Sequence, residues 1–142
     1  MSFTGVYYHT MDPKGRLTLP ASFRKELGTE LKLVPYGKTL RGYTPEALDA
    51  WVNSRFPEGP KDKKSEQLIG LIYERTATLD IDKSGRVCIA KAPEQSRKLL
   101  GDEHELALVG ERDHIKILTA AAQRELEAQT ADLDIADLFF DE

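Results

Sequence analysis

Alternating apolar and polar positions predict a series of short strands. In segment 76–81, Ala77, Leu79 and Ile81 alternate with polar residues, a period of two that indicates a half-buried strand. Residues 6–11 form a comparable extended run. A Gly-containing turn follows each run, and the alternation then resumes at Leu17 and Leu19, and at Val87 and Ile89. Each run is therefore expected to continue through a turn into a second strand.

Helix signals and further strands complete the pattern. Short helices are predicted at about 21–27 and 92–100, because Gly28 and Gly101 stand where a helix C-cap glycine belongs. Thr44 and Thr119 are placed to cap two later helices. The remaining expected elements are strands near 30–35, 39–43, 105–110 and 114–118, and a helix over 65–74.

The chain repeats itself. The sequence "DPKGRLTLP" (12–20) aligns with "DKSGRVCIA" (82–90), and "ELKLVPYGKTLRGYTPEAL" (30–48) aligns with "ELALVGERDHIKILTAAAQ" (105–123). Two blocks that recur in the same order indicate an internal duplication. Each half, without its terminal helix, is close to the size below which a core rarely holds alone, so we expect the copies to share one β core. The predicted organisation is a first module at 1–56, a connector with a helix at 57–74, a second module at 75–124 and an acidic tail at 125–142.

Each copy places an aspartate, a glycine and an arginine within five residues of a turn. Asp12 and Asp82 are expected to accept backbone N–H bonds inside the turn, and Gly15 and Gly85 to supply a positive φ. Leu17 faces the core by alternation, so the neighbouring arginine side chain faces outward.

Two interpretations of these turns follow. The Asp–Arg pair can close its own turn, or the arginine can bind phosphate or base edges, since a planar guanidinium donates two bonds at once. The two can hold together, with the aspartate fixing the loop while the cations bind DNA. The cations concerned are Lys14, Arg16, Lys83 and Arg86.

Composition narrows the class of protein. The 142 residues carry a net charge of −4, yet the seven acids of segment 125–142 have no Lys or Arg among them. Without those seven acids the chain has 20 basic and 17 acidic residues, so the body is mildly basic. The single cysteine, Cys88, excludes an internal disulfide, and the three histidines show no metal-ligand spacing. No signal peptide and no membrane-spanning run is evident, which leads us to expect a cytosolic protein without cofactor or metal.

The motif H-T-x-D-x-K-G-R-x-x-L-P-x-x-F-R in residues 9–24, together with the two-copy arrangement, resembles the MraZ family. The resemblance implies an α+β fold with a mainly β core: a double-ψ, swapped-hairpin AbrB-like (SpoVT–AbrB) barrel built from two βαββ modules, with flanking helices. It also implies a cytoplasmic, nucleoid-associated transcriptional regulator. Members bind double-stranded DNA at short promoter repeats upstream of the division and cell-wall gene cluster, mostly repress it, and assemble into rings. The family's DNA-binding motif falls on Asp12 and Arg16, and on Asp82 and Arg86, while Lys14 matches the basic turn position.

Three alternatives stay open beside this interpretation. An enzyme is disfavoured, because no nucleophile–base set, phosphate loop or metal cluster is present in the sequence. An AbrB-like antitoxin would bind a toxin through its acidic tail, although such chains usually carry one module. The third alternative is a structural ring protein that does not contact DNA.

Overall fold

Residues 2–140 are described by a computed structural model; Met1 and the last two acids of the predicted tail, Asp141 and Glu142, lie outside the described residues. The first copy supplies β1 (Val6–Thr10), β2 (Arg16–Thr18), α1 (Ala21–Leu27), β3 (Glu30–Tyr36), β4 (Thr39–Tyr43) and α2 (Pro45–Arg55). The connector contains α3 (Lys63–Arg75). The second copy supplies β5 (Ala77–Asp80), β6 (Arg86–Cys88), a 3₁₀ turn (Ile89–Lys91), α4 (Glu94–Arg97), β7 (Glu105–Gly110), β8 (Ile115–Thr119), α5 (Ala120–Gln129) and α6 (Ile135–Phe140).

The two copies exchange strands. Six strands form one antiparallel sheet in the order β1-β7-β8-β4-β3-β5, and β2 pairs with β6 in a second, two-stranded sheet. The first strand of each copy therefore pairs with the third strand of the other copy, β1 with β7 and β5 with β3. Where β4 meets β8, Arg41 lies opposite Lys116. The predicted α+β fold with a shared β core is confirmed.

The expected barrel is not closed. Strands β1 and β5 stand at opposite ends of the six-stranded order, and no pairing joins them within residues 2–140. A closed barrel would need that last ladder, so the six strands form an open sheet.

Side-chain alternation gives the sheet two buried faces. On one face the main core packs the sheet against the β2–β6 ribbon and α1, with Leu17 and Val87 fully buried under the ribbon. On the other face, Val34 and Tyr43 pack with Leu48 and Val52 of α2, and a third cluster lies beneath α5. The β2–β6 ribbon and the helices α2 and α5 therefore lie on opposite sides of the sheet.

The predicted N-caps Thr44 and Thr119 and the C-cap Gly28 are confirmed, whereas the second short helix ends early and has its C-cap at Lys98 instead of Gly101. Thr44 Oγ1 accepts the Ala47 N–H at 3.1 Å, and Thr119 Oγ1 accepts the Ala122 N–H at 3.1 Å. Helix α4 spans only Glu94–Arg97 instead of about 92–100. Beyond it, N–H groups bond to carbonyls three residues back, for example Gly101 to Lys98 at 3.2 Å, which is a tighter winding than the α-helix.

The acidic tail is partly helical and exposes apolar side chains. On α6, Ile135 is 73% exposed, Phe139 76% and Phe140 86%. Across the described part of the chain, none of the helices combines the length and the apolar character needed to cross a bilayer.

Candidate nucleic-acid interface

The first Asp–Arg turn is closed by its aspartate. Asp12 Oδ1 accepts the backbone N–H of Lys14 at 2.9 Å and of Arg16 at 2.8 Å, while Oδ2 accepts Nε of Arg16 at 2.7 Å. Gly15 adopts φ +80°, the left-handed region that a glycine enters without steric cost. The bond from the Arg16 backbone N–H is the main cause that lowers the pKa of Asp12 below the ordinary 3.8 of aspartate.

The second turn repeats this geometry atom for atom. Asp82 Oδ1 accepts the N–H groups of Ser84 and Arg86, each at 2.9 Å, and Oδ2 accepts Nε of Arg86 at 3.1 Å. Gly85 has φ +77°. The pKa of Asp82 is likewise lowered, chiefly by the bond from the Arg86 backbone N–H. Two segments 70 residues apart thus fold into the same structure because the same local donors and acceptors recur.

The ribbon joins the two turns back to back. In its register Arg16 lies opposite Cys88, Leu17 opposite Val87, and Thr18 opposite Arg86. Two further bonds extend the pairing at its ends, from Leu19 N–H to the Gly85 carbonyl at 2.9 Å and from Ile89 N–H to the Gly15 carbonyl at 2.8 Å.

This register brings the two arginines to one surface. Since Leu17 and Val87 face the core, Arg16, Arg86, Thr18 and Cys88 share the outward face of the ribbon. Arg16 and Arg86 are diagonal neighbours, a relation that places Cα atoms about 7 to 8 Å apart.

Both arginines keep donors for a ligand. Their side chains are 37% and 36% exposed, so neither is buried. In each guanidinium, Nε is the only nitrogen that forms a hydrogen bond within residues 2–140. The two terminal nitrogens are therefore left for an outside acceptor. Their aspartates hold the planes in place, and a pre-oriented guanidinium suits bidentate contact with phosphate or guanine.

The two lysines of the turns are exposed but are not equivalent. Lys14 takes the position that Ser84 has in the second turn, and Lys83 takes the position of Pro13. Neither lysine forms an ion pair with the rest of the described chain. Each turn therefore adds one solvent-facing cation beside its arginine, at a different point along the turn.

Sequence reasoning missed a contact between the copies at this site. Arg24, on α1 of the first copy, donates from Nη1 to the Ser84 carbonyl of the second turn at 2.9 Å. A contact across 60 residues carries no local pattern. A signal was nevertheless present, because "PASFRKELG" (20–28) and "PEQSRKLLG" (93–101) share Pro, Arg-Lys, Leu and Gly at the same positions and extend the repeat through α1.

Comparison of the sequence with known proteins identifies a family. A family described as "MraZ protein, putative antitoxin-like" matches residues 2–52, which include the first turn. A protein of Lactiplantibacillus plantarum named transcriptional regulator MraZ is 31% identical over 131 residues, covering 91% of this chain and 90% of the relative. A second, from Leuconostoc mesenteroides, carries the same name and is 30% identical over 134 residues, covering 92% and 90%. A third of that name, from Ligilactobacillus salivarius, is 37% identical over 93 residues, covering 63% of this chain and 64% of the relative. With a repeat, a strand exchange and paired turns of this kind, and with relatives that align along nearly its whole length, the chain belongs to the MraZ family of transcriptional regulators.

Proposed function

We propose that this protein is a sequence-specific, DNA-binding repressor of transcription that acts in the cytoplasm at the nucleoid. Its sites are repeated promoter elements of the division and cell-wall gene cluster, and it acts on them as a ring-shaped homo-oligomer. The observation that supports this most is the outward face of the β2–β6 ribbon, where two aspartate-held arginines project from one surface.

The dimensions of the ribbon suit the major groove. A two-stranded antiparallel ribbon fits a groove about 12 Å wide. Arg16 and Arg86 would reach base edges or phosphates with their terminal nitrogens, while Lys14 and Lys83 would neutralise phosphates from the exposed turns. Asp12, Gly15, Asp82 and Gly85 would serve as turn-stabilising residues, because they fix where these cations point.

The net charge of −4 does not oppose this proposal, because the positions of the positive charges matter more for DNA binding than the net charge of the chain. The proposed contact face carries four cations, while the acid-rich segment begins beyond it in sequence, in α5 and the residues that follow. One protomer with a few phosphate contacts binds weakly at physiological salt. A ring that presents many such faces to repeated elements gains avidity of about 10² to 10⁴, provided that several engage together.

The decisive measurement is a mobility-shift titration with the DNA upstream of the protein's own gene. Arg16→Ala should weaken binding to this DNA while leaving the fold and the oligomer size unchanged. Lys14→Ala should weaken binding to all sequences and reduce the salt slope by about 1, the share of one phosphate contact. As a matched control, Lys64→Ala removes one exposed cation from α3, away from the ribbon, and should change neither quantity. If Arg16→Ala binds the DNA with wild-type affinity, the Arg16 side chain acts only in the structure of the turn.

One alternative has its own support. The family description includes the word antitoxin, and α6 exposes apolar side chains between acids. On this second proposal the tail would bind a toxin, and a toxin gene next to this one would favour it. A ring protein without DNA contact is separated from both by fluorescence anisotropy with the same upstream DNA.

A further inference from the structure

Different residues pack against the glycines of the two turns: Arg24 against Gly85, and Ala90 against Gly15. At the second turn, the Arg24 side chain crosses directly over Gly85: a Cβ added to that glycine would lie 1.8 Å from Arg24 Cδ. The same guanidinium donates to the Ser84 carbonyl at 2.9 Å. Gly85 thus has a positive φ that favours glycine, and a side chain added there would force Arg24, from the other copy, to move.

The equivalent arginine does not reach the first turn. Arg97 occupies the position of Arg24 in the repeated Pro-x-x-x-Arg-Lys segment, but its Nε donates to the Ala92 carbonyl at 2.9 Å. The second copy has three extra residues, 90–92, between β6 and α4, and the first of them, Ala90, lies against the first turn. A Cβ added to Gly15 would lie 2.6 Å from Ala90 Cβ. An alanine methyl group thus stands where the other turn has a guanidinium.

The equivalent carbonyls of the two turns therefore accept different donors. The Lys14 carbonyl, equivalent to that of Ser84, faces only the Cys88 thiol at 3.8 Å among the described residues, and a thiol is a weak donor. A hydrogen bond from a charged guanidinium is about twice as strong as one between neutral groups. Open cavities lie beside both turns, one of about 240 Å³ lined in part by Gly15 and Ala90 and one of about 400 Å³ lined in part by Arg24 and Gly85, so the hydrogen bond and not the cavity distinguishes the two turns.

We infer that Arg24 is a positioning residue that holds the second turn in its DNA-binding shape, and that the first turn has no such clamp. The presentation of Arg86 by the second copy then depends on a side chain from α1 of the first copy. This inference rests on the proposed function, because it concerns how the second turn meets DNA. The first turn, backed by the methyl group of Ala90 and without a guanidinium bond to its Lys14 carbonyl, adapts its shape to the duplex more freely.

Amide hydrogen exchange on the full-length protein tests directly whether the bond from Arg24 to the Ser84 carbonyl holds the second turn. Arg24→Met keeps the aliphatic stem over Gly85 and removes the donor. The N–H groups of Ser84, Gly85 and Arg86 should then exchange about tenfold faster, the lower end of the effect of a hydrogen bond from a charged group. Those of the first turn should keep their wild-type rates, which makes them an internal control. Arg97→Met is the matched control and should leave exchange at residues 84–86 unchanged. Unchanged exchange there in Arg24→Met would overturn the inference.

DNA binding separates positioning from direct contact. Arg24→Met should weaken binding about three- to tenfold, and Arg24→Lys should restore most of the affinity together with slow exchange in the second turn. Combined with Arg86→Ala, Arg24→Met should cause little further loss, because it acts through the turn that carries Arg86. Additive losses, or a lysine that restores affinity but not slow exchange, would show that Arg24 binds phosphate itself and would contradict the inference.

The same titrations keep the two proposals apart. If the wild-type protein shows no preference for the upstream DNA over unrelated DNA, the proposed function is wrong at its first step. If Arg16→Ala loses affinity while Arg24→Met retains both wild-type affinity and wild-type exchange, only the role of Arg24 is wrong.

Discussion

A leucine-to-alanine change under the ribbon tests whether the two copies form one cooperative unit. Leu17 has no exposed surface and lies opposite Val87 of the second copy, in a cluster that draws on both halves of the chain. Removal of a fully buried leucine side chain costs about 2 to 5 kcal/mol, and we take about 3 kcal/mol for this site. This is a large share of the roughly 5 to 15 kcal/mol that stabilises a typical domain. For a chain of this length, the midpoint of thermal unfolding should fall by about 6 to 12 °C.

The assay is denaturant unfolding of Leu17→Ala followed by Trp51 fluorescence and by far-UV circular dichroism. Trp51 packs on the opposite face of the sheet, against the cluster under α2, so it reports a region that does not touch the mutated site. Both probes should show one coincident transition at a lower denaturant concentration. Thr18→Ala, on the same strand but facing solvent, should change stability by no more than about 0.5 kcal/mol. A Trp51 transition that stays at its wild-type midpoint would refute the shared core.

Four further outcomes are expected. Because the folded pKa values of Asp12 and Asp82 lie below the ordinary 3.8, their carboxylates contribute stability above about pH 4 and lose it as the pH falls further. A variant with both changed to Asn should therefore show a flatter fall in thermal midpoint between about pH 5 and pH 2. Gly110→Ala should destabilise the protein by about 1 to 3 kcal/mol in urea unfolding, since its Cβ would lie 2.3 Å from a backbone nitrogen of the N-terminal segment. Gly70→Ala, inside α3 with room for a methyl group, should instead stabilise by about 0.5 to 1 kcal/mol. Deletion of 131–142 should raise affinity for non-specific DNA, because five acids are lost, and an unchanged affinity in anisotropy titrations would remove a repulsive role for the tail.

Local features of this fold were readable from the sequence. The period-two alternation at 76–81 marks β5, and Thr44 caps α2 because a threonine side chain reaches an N–H three residues on. The Asp12 turn is equally local, since every donor and acceptor lies within five residues. Such features depend on covalent neighbours, whose distances the chain itself restricts.

Long-range features were not readable in the same way. The sequence indicated a shared core but not that β1 pairs with β7 and β5 with β3, because hydrophobic alternation specifies which face is buried and not which strand is adjacent. The family resemblance implied an AbrB-like barrel, but whether that barrel is closed depends on whether the edge strands β1 and β5 meet, which no sequence pattern states. The contact of Arg24 with the Ser84 carbonyl follows only from that three-dimensional arrangement.

Fusion of two similar copies in one chain permits a difference that two identical chains could not have. In a symmetric pair of identical chains, any substitution behind one turn would appear behind the other. Here the repeat keeps the aspartate, glycine and arginine of both turns, yet residues 90–92 are present in only one copy, and Arg97 of that copy bonds to the Ala92 carbonyl instead of the opposite turn. The aspartates and arginines of the two turns stay matched, while the residues packed behind the turns differ. Selection can therefore change the support of one turn without changing that of the other, which the symmetry of two identical chains would forbid.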